Sequence, residues 1–421
     1  MDNGQYKKKI LFLSNRSPLP IKDGHTRRTY NILKGLADNN LVHFVSLFES
    51  QEELGDSNVA SLKGMCDRVE FIQAPNKNFS LEMLLRLFRS LFSIDPYTIW
   101  RHYSKDYYNR VSELIVRGNY DIVHCDNLPI AYTCRNNNSV FRSITDHDVS
   151  YLKCTRMAKE TRNVALKLFL YYEALKIRNL EKRVLGQFDL GIVVSEIDKI
   201  KLHEISEDKD LLVIENGVNT DEFRPSEKVE LEDNTLVWVG GFKPFSNESG
   251  MYFFLTNIYP VIKRNVPNVK LNIIGDDIST RLKKVVLSDP SIHYLGFVDN
   301  PLPYIQNSSI FIVPIISGSG TRLKLLEAMA VGKAIVTTDI GCEGIEGRKD
   351  FHYAVANTPQ EFSDATANLL RNPTERVKMG INARNLVVDK YDWAVILNKL
   401  NKRYSLVVKK DTPFTSNIAF R

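Results

Sequence analysis

A chain of 421 residues, 43% of them hydrophobic, is long enough to bury two cores and reads as two domains. Lys and Arg (56) exceed Asp and Glu (50) by a formal +6, a mild bias that suits an anionic substrate or lipid surface; no nucleic-acid signature accompanies it. The five cysteines, Cys66, Cys125, Cys134, Cys154 and Cys342, are scattered without a Cys-x-x-Cys pair, which argues for reduced thiols in a cytoplasmic protein and against a zinc site or disulfide framework.

Lys7-Lys8-Lys9 precedes an apolar run of only Ile10 to Leu13, too short for a signal-peptide core, and no later stretch is long and uncharged enough to cross a bilayer. That first run predicts an opening strand, Lys9 to Ser14. A Pro- and Gly-containing turn through Asp23-Gly24 follows, then a helix from about Thr26 with Tyr30, Leu33 and Ala37 turned inward. Further short β-branched runs stand at Leu41 to Phe48, Val69 to Ala74, Asp121 to Cys125, Val140 to Thr145, Leu190 to Ser195 and Leu211 to Ile214, separated by helical patterns. Strands alternating with helices imply βαβ units and a doubly wound parallel sheet. The pattern breaks at Glu215-Asn216-Gly217 and the polar stretch up to Asp233, where the linker is placed. A second alternating series runs through Leu236 to Gly241, Val269 to Ile274, Ile292 to Val298, Ile310 to Ile315 and Ala334 to Thr338. The expected division is 1–224, 225–390, and a C-terminal helix with tail, 391–421, packing back toward the first domain. The fold class is α/β, two Rossmann-like domains facing across a cleft. Residues past Asp411 carry no pattern.

Ligands of doubly wound sheets bind at the carboxyl ends of strands. The densest chemistry at such an end is Ser317-Gly318-Ser319-Gly320-Thr321-Arg322-Leu323-Lys324, leading into a helix through Glu327 that stops at Gly332. A strand, a glycine-rich turn and a helix start present free backbone N–H groups and a positive dipole end to an anion. Arg322 and Lys324 oppose that dipole, so a helix built for stability alone would carry Asp or Glu there. Glu327, one turn deeper, can accept two hydrogen bonds from a sugar diol. The competing reading is a solvated turn before an amphipathic helix with a Lys324–Glu327 pair. The dinucleotide fingerprint is excluded, because Leu323 stands where a third glycine is needed.

Gly318 to Glu327 together with Ala328-Met329-Ala330-Val331-Gly332-Lys333 resembles the signature of group 1 (family 4) glycosyltransferases of the GT-B fold. Asn216-Gly217-Val218-Asn219, Val237 to Gly241 with Lys243, Pro244 and Asn247, and Tyr294 to Val298 resemble other family segments in the same order, so the likeness spans nearly the whole chain. It implies transfer of a sugar from a nucleoside-diphosphate donor of UDP or GDP type, retention at the anomeric carbon, no metal and no cofactor. The expected donor-binding residues are Gly24, Gly241, Lys243, Gly318, Ser319, Gly320, Thr321 and Glu327; the expected catalytic ones are His147, Arg322 and Lys324. The family's two glutamates stand eight apart. Here Glu327 holds the second position and Ser319 the first, so the group touching the donor sugar differs. His147 matches a family histidine beside the reacting sugar, and the competing reading is a strand-end histidine satisfied by Asp146 and Asp148.

The acceptor is expected to be a saccharide or lipid-linked molecule, in bacterial surface polysaccharide synthesis. Phe79 to Phe92, with Tyr97 to Tyr103, is apolar with interspersed arginines; it reads either as a peripheral membrane contact or as a core helix and its connector. Leu166 to Arg183 reads as a packing helix with a solvated face. The rival functions are a sugar-nucleotide epimerase and a GT-B-like subunit that binds sugar nucleotide or a partner without turnover.

Overall fold

The computed structural model describes residues 7–76, 81–134, 139–161, 163–207, 209–226, 230–243, 245–318 and 320–408. Two compact units result, Met1–Ile214 with Leu397–Arg421, and Glu215–Ile396.

The first unit is a seven-stranded parallel sheet. Its strands are β1 Lys9–Ser14, β2 Leu41–Phe48, β3 Arg68–Gln73, β4 Ile122–Cys125, β5 Phe141–Thr145, β6 Leu190–Val193 and β7 Leu211–Val213, in the spatial order β3-β2-β1-β4-β5-β6-β7. Helices cover both faces, so β4 and β6 are buried at every position and use β-branched and small residues without alternation. Leu11, Leu13, Val45, Val123 and Val193 meet Tyr107, Val111, Leu180 and Val184 in one core. Each such side chain contributes roughly 1.5–3 kcal/mol by leaving water. The order reverses between β1 and β4, so the connections leaving these two strands pass to opposite faces and open a crevice at their carboxyl ends.

The helix after β1 starts two residues earlier than expected, at Gly24, because the Asp23 side chain caps it by accepting from the Thr26 amide. Its inward face also differs from expectation: Thr26, Thr29, Ile32, Leu33 and Leu36 are buried, whereas Tyr30 and Ala37 are only partly so. Buried Arg28 turns the helix, donating to the Ile214 carbonyl at 2.7 Å.

The second unit has six parallel strands, β8 Glu232–Val239, β9 Lys270–Ile274, β10 Ile292–Gly296, β11 Ser308–Val313, β12 Ala334–Thr337 and β13 Ala354–Val355, ordered β10-β9-β8-β11-β12-β13. Here the reversal falls between β8 and β11. The helix Leu323–Ala330 joins β11 to β12 and ends on Gly332, whose φ of 74° lets it take the left-handed position after the helix.

The units part at 214/215, ten residues before the expected 224/225. Residues 218–224 are bonded into the second unit: the Val218 amide to the Tyr391 carbonyl, Thr220 Oγ1 to Asp392 at 2.6 Å, and the Phe223 carbonyl to Arg384. Trp393 sits where a Cβ on Gly217 would stand, 2.7 Å away. The helix Trp393–Ser405 carries the chain on, and from Leu397 it belongs to the first unit. There Tyr404 is fully buried, its hydroxyl 2.6 Å from His124 Nδ1 and 2.5 Å from Ser143 Oγ. The expected tail beyond Asp411 lies outside the described residues.

Tyr404→Phe removes the hydroxyl that satisfies both groups. We expect it to lower stability by about 1–3 kcal/mol, read as a lower midpoint of the first unit's transition in urea, with nucleotide affinity unchanged.

Candidate functional site

In the second unit, the loops after β8 and β11 meet at the reversal point. Gly318 and Gly320 have φ of 105° and 85°, left-handed conformations that a side chain would strain. They turn the chain from β11 into the helix Leu323–Ala330, whose N-cap, Arg322, makes no side-chain cap bond and whose first turn has no acidic residue. The helix start therefore keeps the uncapped N–H groups that an anion can accept from. Among the described residues, the buried hydroxyl oxygens of Ser317 and Thr321 have no hydrogen-bond partner. An orphaned buried hydroxyl costs free energy that an incoming acceptor would recover.

Lys324 does not point along its own helix. Its ammonium lies 3.2 Å from the Asn247 side-chain oxygen and 4.3 Å from the centre of the Trp238 ring, deep among protein atoms although the residue as a whole is half-buried. A Cβ on Gly240 would stand 2.7 Å from that nitrogen, so the glycine makes room for it. Asn247 is itself fixed, donating from Nδ2 to the Gly241 carbonyl at 2.7 Å. Burial, followed by the charge of Arg322, pushes the Lys324 pKa down to about 7, against a smaller opposing pull from Glu327.

The other expected residues of this unit fall into two groups. Gly241, Gly318, Gly320, Thr321 and Arg322 stand in the two loops, and Glu327 is half-buried one turn into the helix. Lys243 stands apart from them, its side chain 84% exposed and 3.5 Å from Asp277. Ser319 and Pro244 lie outside the described residues. Trp238 and Asn247 were missed as site residues; Asn247 stands within the family-like segment, but nothing local announced that it would hold a lysine from another element.

In the first unit, His147 follows β5 and leans on His25, ring centres 4.3 Å apart, in the first turn of the capped helix beside Gly24. His147 Nε2 lies 2.6 Å from the Asp126 carbonyl oxygen. A carbonyl only accepts, so Nε2 is the donor in this bond. The Asp126 carboxylate is buried. Thr29 Oγ1 donates to its Oδ2 at 2.6 Å, and Oδ1 stands 3.4 Å from His147 Nε2 and 3.6 Å from His124 Nε2. Burial alone would raise the Asp126 pKa; the neighbouring His147 and His124 rings outweigh it and hold the carboxyl well below its usual range. Burial, then His147 and Arg16, press His25 well below the ordinary imidazole value, so it is neutral. The competing reading, in which Asp146 and Asp148 satisfy His147, does not match this bond, which goes to the Asp126 carbonyl. His25 and Asp126 were missed. The one available signal was their place just beyond strand ends.

Against the expectation of no metal, His25, Asp126 and His147 bring three ligand-type atoms within 4.8 Å of one another, the one such group among the described residues. The buried atoms His25 Nε2 and Asp126 Oδ1 have no hydrogen-bond partner there, so the donor set fits either a cation or the hydroxyls of a sugar.

Residues 233–372 match the profile of the family described as glycosyl transferases group 1. An uncharacterised 44.6 kDa protein in the cps region of Klebsiella pneumoniae is 24% identical over 94% of this chain and 99% of its own length. The N,N'-diacetylbacillosaminyl-diphospho-undecaprenol alpha-1,3-N-acetylgalactosaminyltransferase of Campylobacter jejuni is 32% identical over 125 residues, 29% of this chain and 33% of that one. Among solved structures, HepE of Anabaena in complex with UDP and glucose superposes with a TM-score of 0.67 at 12% identity, covering 94% of this chain and 99% of that one, which shows the GT-B fold.

The buried charge of Lys324 costs stability below about pH 7, where both folded and unfolded chains hold the proton. Between that value and the usual lysine range near 10.4 the unfolded chain binds more protons, so stability rises with pH. Lys324→Met should be more stable than the parent at pH 6 and should flatten this rise, measured by urea unfolding across pH.

Proposed function

For a group 1 glycosyltransferase of the GT-B fold, we propose transfer of a sugar from a nucleoside-diphosphate donor to a saccharide or lipid-linked acceptor, with retention and without a metal. The observation that carries this reading is Lys324: a buried ammonium whose hydrogen bond goes to a neutral amide, beside a glycine-rich turn and an uncapped helix start. Negative charge builds on the departing diphosphate in the transition state. Lys324, Arg322 and the N–H groups from Gly320 onward stabilise it, supplying charge that a bound divalent ion supplies in other folds. Gly241 leaves the backbone of the β8 loop open to the phosphates, and Glu327 receives the ribose hydroxyls. Ser317 and Thr321 add two hydroxyls to the same anion.

On the first unit, Gly24 at the start of the capped helix keeps the donor-binding role expected of it. His147 presents its other ring nitrogen, Nδ1, to a sugar hydroxyl while Asp126 holds the ring. With no general base assigned, the leaving phosphate takes the acceptor proton. A role in bacterial surface polysaccharide synthesis is supported by the cps-region relative, and a lipid-linked acceptor by the name of the Campylobacter relative. The five free cysteines suit a reducing, cytoplasmic setting.

Arg322→Ala should reduce kcat by about 10²–10³ with the fold intact, and Glu327→Gln should chiefly weaken nucleoside-diphosphate affinity; calorimetry with UDP and GDP sugars followed by turnover assays reads both. Near-normal turnover of Arg322→Ala would reject the assignment. Turnover should also survive EDTA. If it is lost and Zn²⁺ restores it, the His25–Asp126–His147 group holds a metal instead.

A further inference from the structure

The helix Leu81–Leu91 is built inside out. Its inward side carries Ser90, fully buried, the partly buried Met83 and Leu87, and Arg86, which donates to the carbonyls of Trp100 and Tyr103 and pairs with Glu82 at 2.7 Å. Its outward side carries Leu81, Leu84, Leu85, Phe88 and Leu91, running on into Phe92; Phe88 is 59% exposed and Phe92 79%. A surface helix of a globular domain normally shows the reverse. The reading of this stretch as a core helix therefore does not hold for the described residues; Phe79 and Ser80 lie outside them.

A second helix continues the patch. Val164–Gln187, expected to turn a solvated face outward, exposes Val164, Leu168, Tyr172 and Leu175 at helical spacing. The two helices are tied together where their apolar faces meet. Tyr172 Oη donates to the Leu91 carbonyl at 2.7 Å, and the buried Lys176 ammonium to the Ser90 carbonyl at 2.5 Å. A contiguous apolar surface on one unit is more than the scattered leucines any protein shows.

The exposed charge on these helices is mainly positive. Arg89, Arg101, Lys159, Arg178 and Lys182 are exposed on Leu81–Leu91, Tyr97–His102, Ser150–Glu160 and Val164–Gln187, as is Lys153, which pairs with Asp148 at 2.8 Å. Among the described side chains of these four helices the one exposed carboxylate is Glu82, already paired with Arg86. An apolar face on helices whose exposed charges are mainly cationic is complementary to an anionic lipid surface, where the apolar chains enter the acyl boundary and the cations meet the headgroups.

We propose that this two-helix face binds the surface of an anionic bilayer. The inference names the partner on the acceptor side of the proposed glycosyltransferase and rests on that reading for its purpose, while binding to lipid is measured without turnover.

The test is co-sedimentation of the full chain with vesicles of phosphatidylglycerol mixed with phosphatidylcholine, beside vesicles of phosphatidylcholine alone, at low and high salt. The parent should bind the anionic vesicles and lose binding on them in high salt. Phe88→Ser/Phe92→Ser and Arg89→Glu/Arg178→Glu should each weaken binding at least tenfold, with unchanged circular dichroism and nucleotide affinity. Absence of binding at low salt, or binding that neither variant alters, overturns the proposal. So does a dimer in light scattering that the Phe88→Ser/Phe92→Ser variant dissolves while vesicle binding is absent, which would assign the face to a second copy. If lipid binds as described but no donor sugar is turned over, the glycosyltransferase reading fails and the surface stands.

Discussion

The second unit depends on a lysine kept away from water. Lys324 reaches from the first turn of its helix across to β8, where Trp238 supplies a ring face, Asn247 a single oxygen, and Gly240 the space. None of these neutralises the charge, so burial wins and the ammonium lets go of its proton far more readily than a surface lysine. An anion at the same place reverses that balance. The cost in the free protein and the gain in the bound one have the same origin, as expected of electrostatics arranged before the ligand arrives.

Both units solve the placement problem with the same topology. A parallel sheet whose order reverses leaves its loops spread at the carboxyl ends of two adjacent strands. In the first unit that position gathers residues after β1, β4 and β5, namely His25, Asp126 and His147. In the second it gathers the turns after β8 and β11. Loops free of ladder bonding can carry strained glycines and uncapped amides, which the strands beneath them could not tolerate. Under His147 the polar groups satisfy one another: Asp126 accepts from Thr29, and the fully buried His124 and Tyr404 continue the chain.

The first unit also shows how local pattern and packing part company. The sequence from Leu81 to Phe92 has strong helical periodicity, and a helix forms. Periodicity does not state which side faces the core. Here Arg86 and Lys176 reach backbone carbonyls and hold Arg86 and Ser90 inward, leaving Leu81, Leu84, Leu85, Phe88 and Leu91 out. The same ambiguity displaced the inward face of the Gly24–Ala37 helix, which buried Arg28 rotates toward the Ile214 carbonyl.

The order of strands along the chain, the glycine turn after β11 and the helix stop at Gly332 were legible in the sequence alone, because they rest on short-range periodicity and on backbone conformations that favour glycine; the group 1 likeness was legible through resemblance of its ordered motifs. The direction taken by Lys324, the meeting of His25 with Asp126 and His147, and the outward apolar face of two helices were decided only in the tertiary structure. Each of these depends on residues from 77 to 122 positions apart, or on a choice between two faces of one helix, and the free energy that settles them comes from burial and hydrogen bonds that exist only once the sheets have closed.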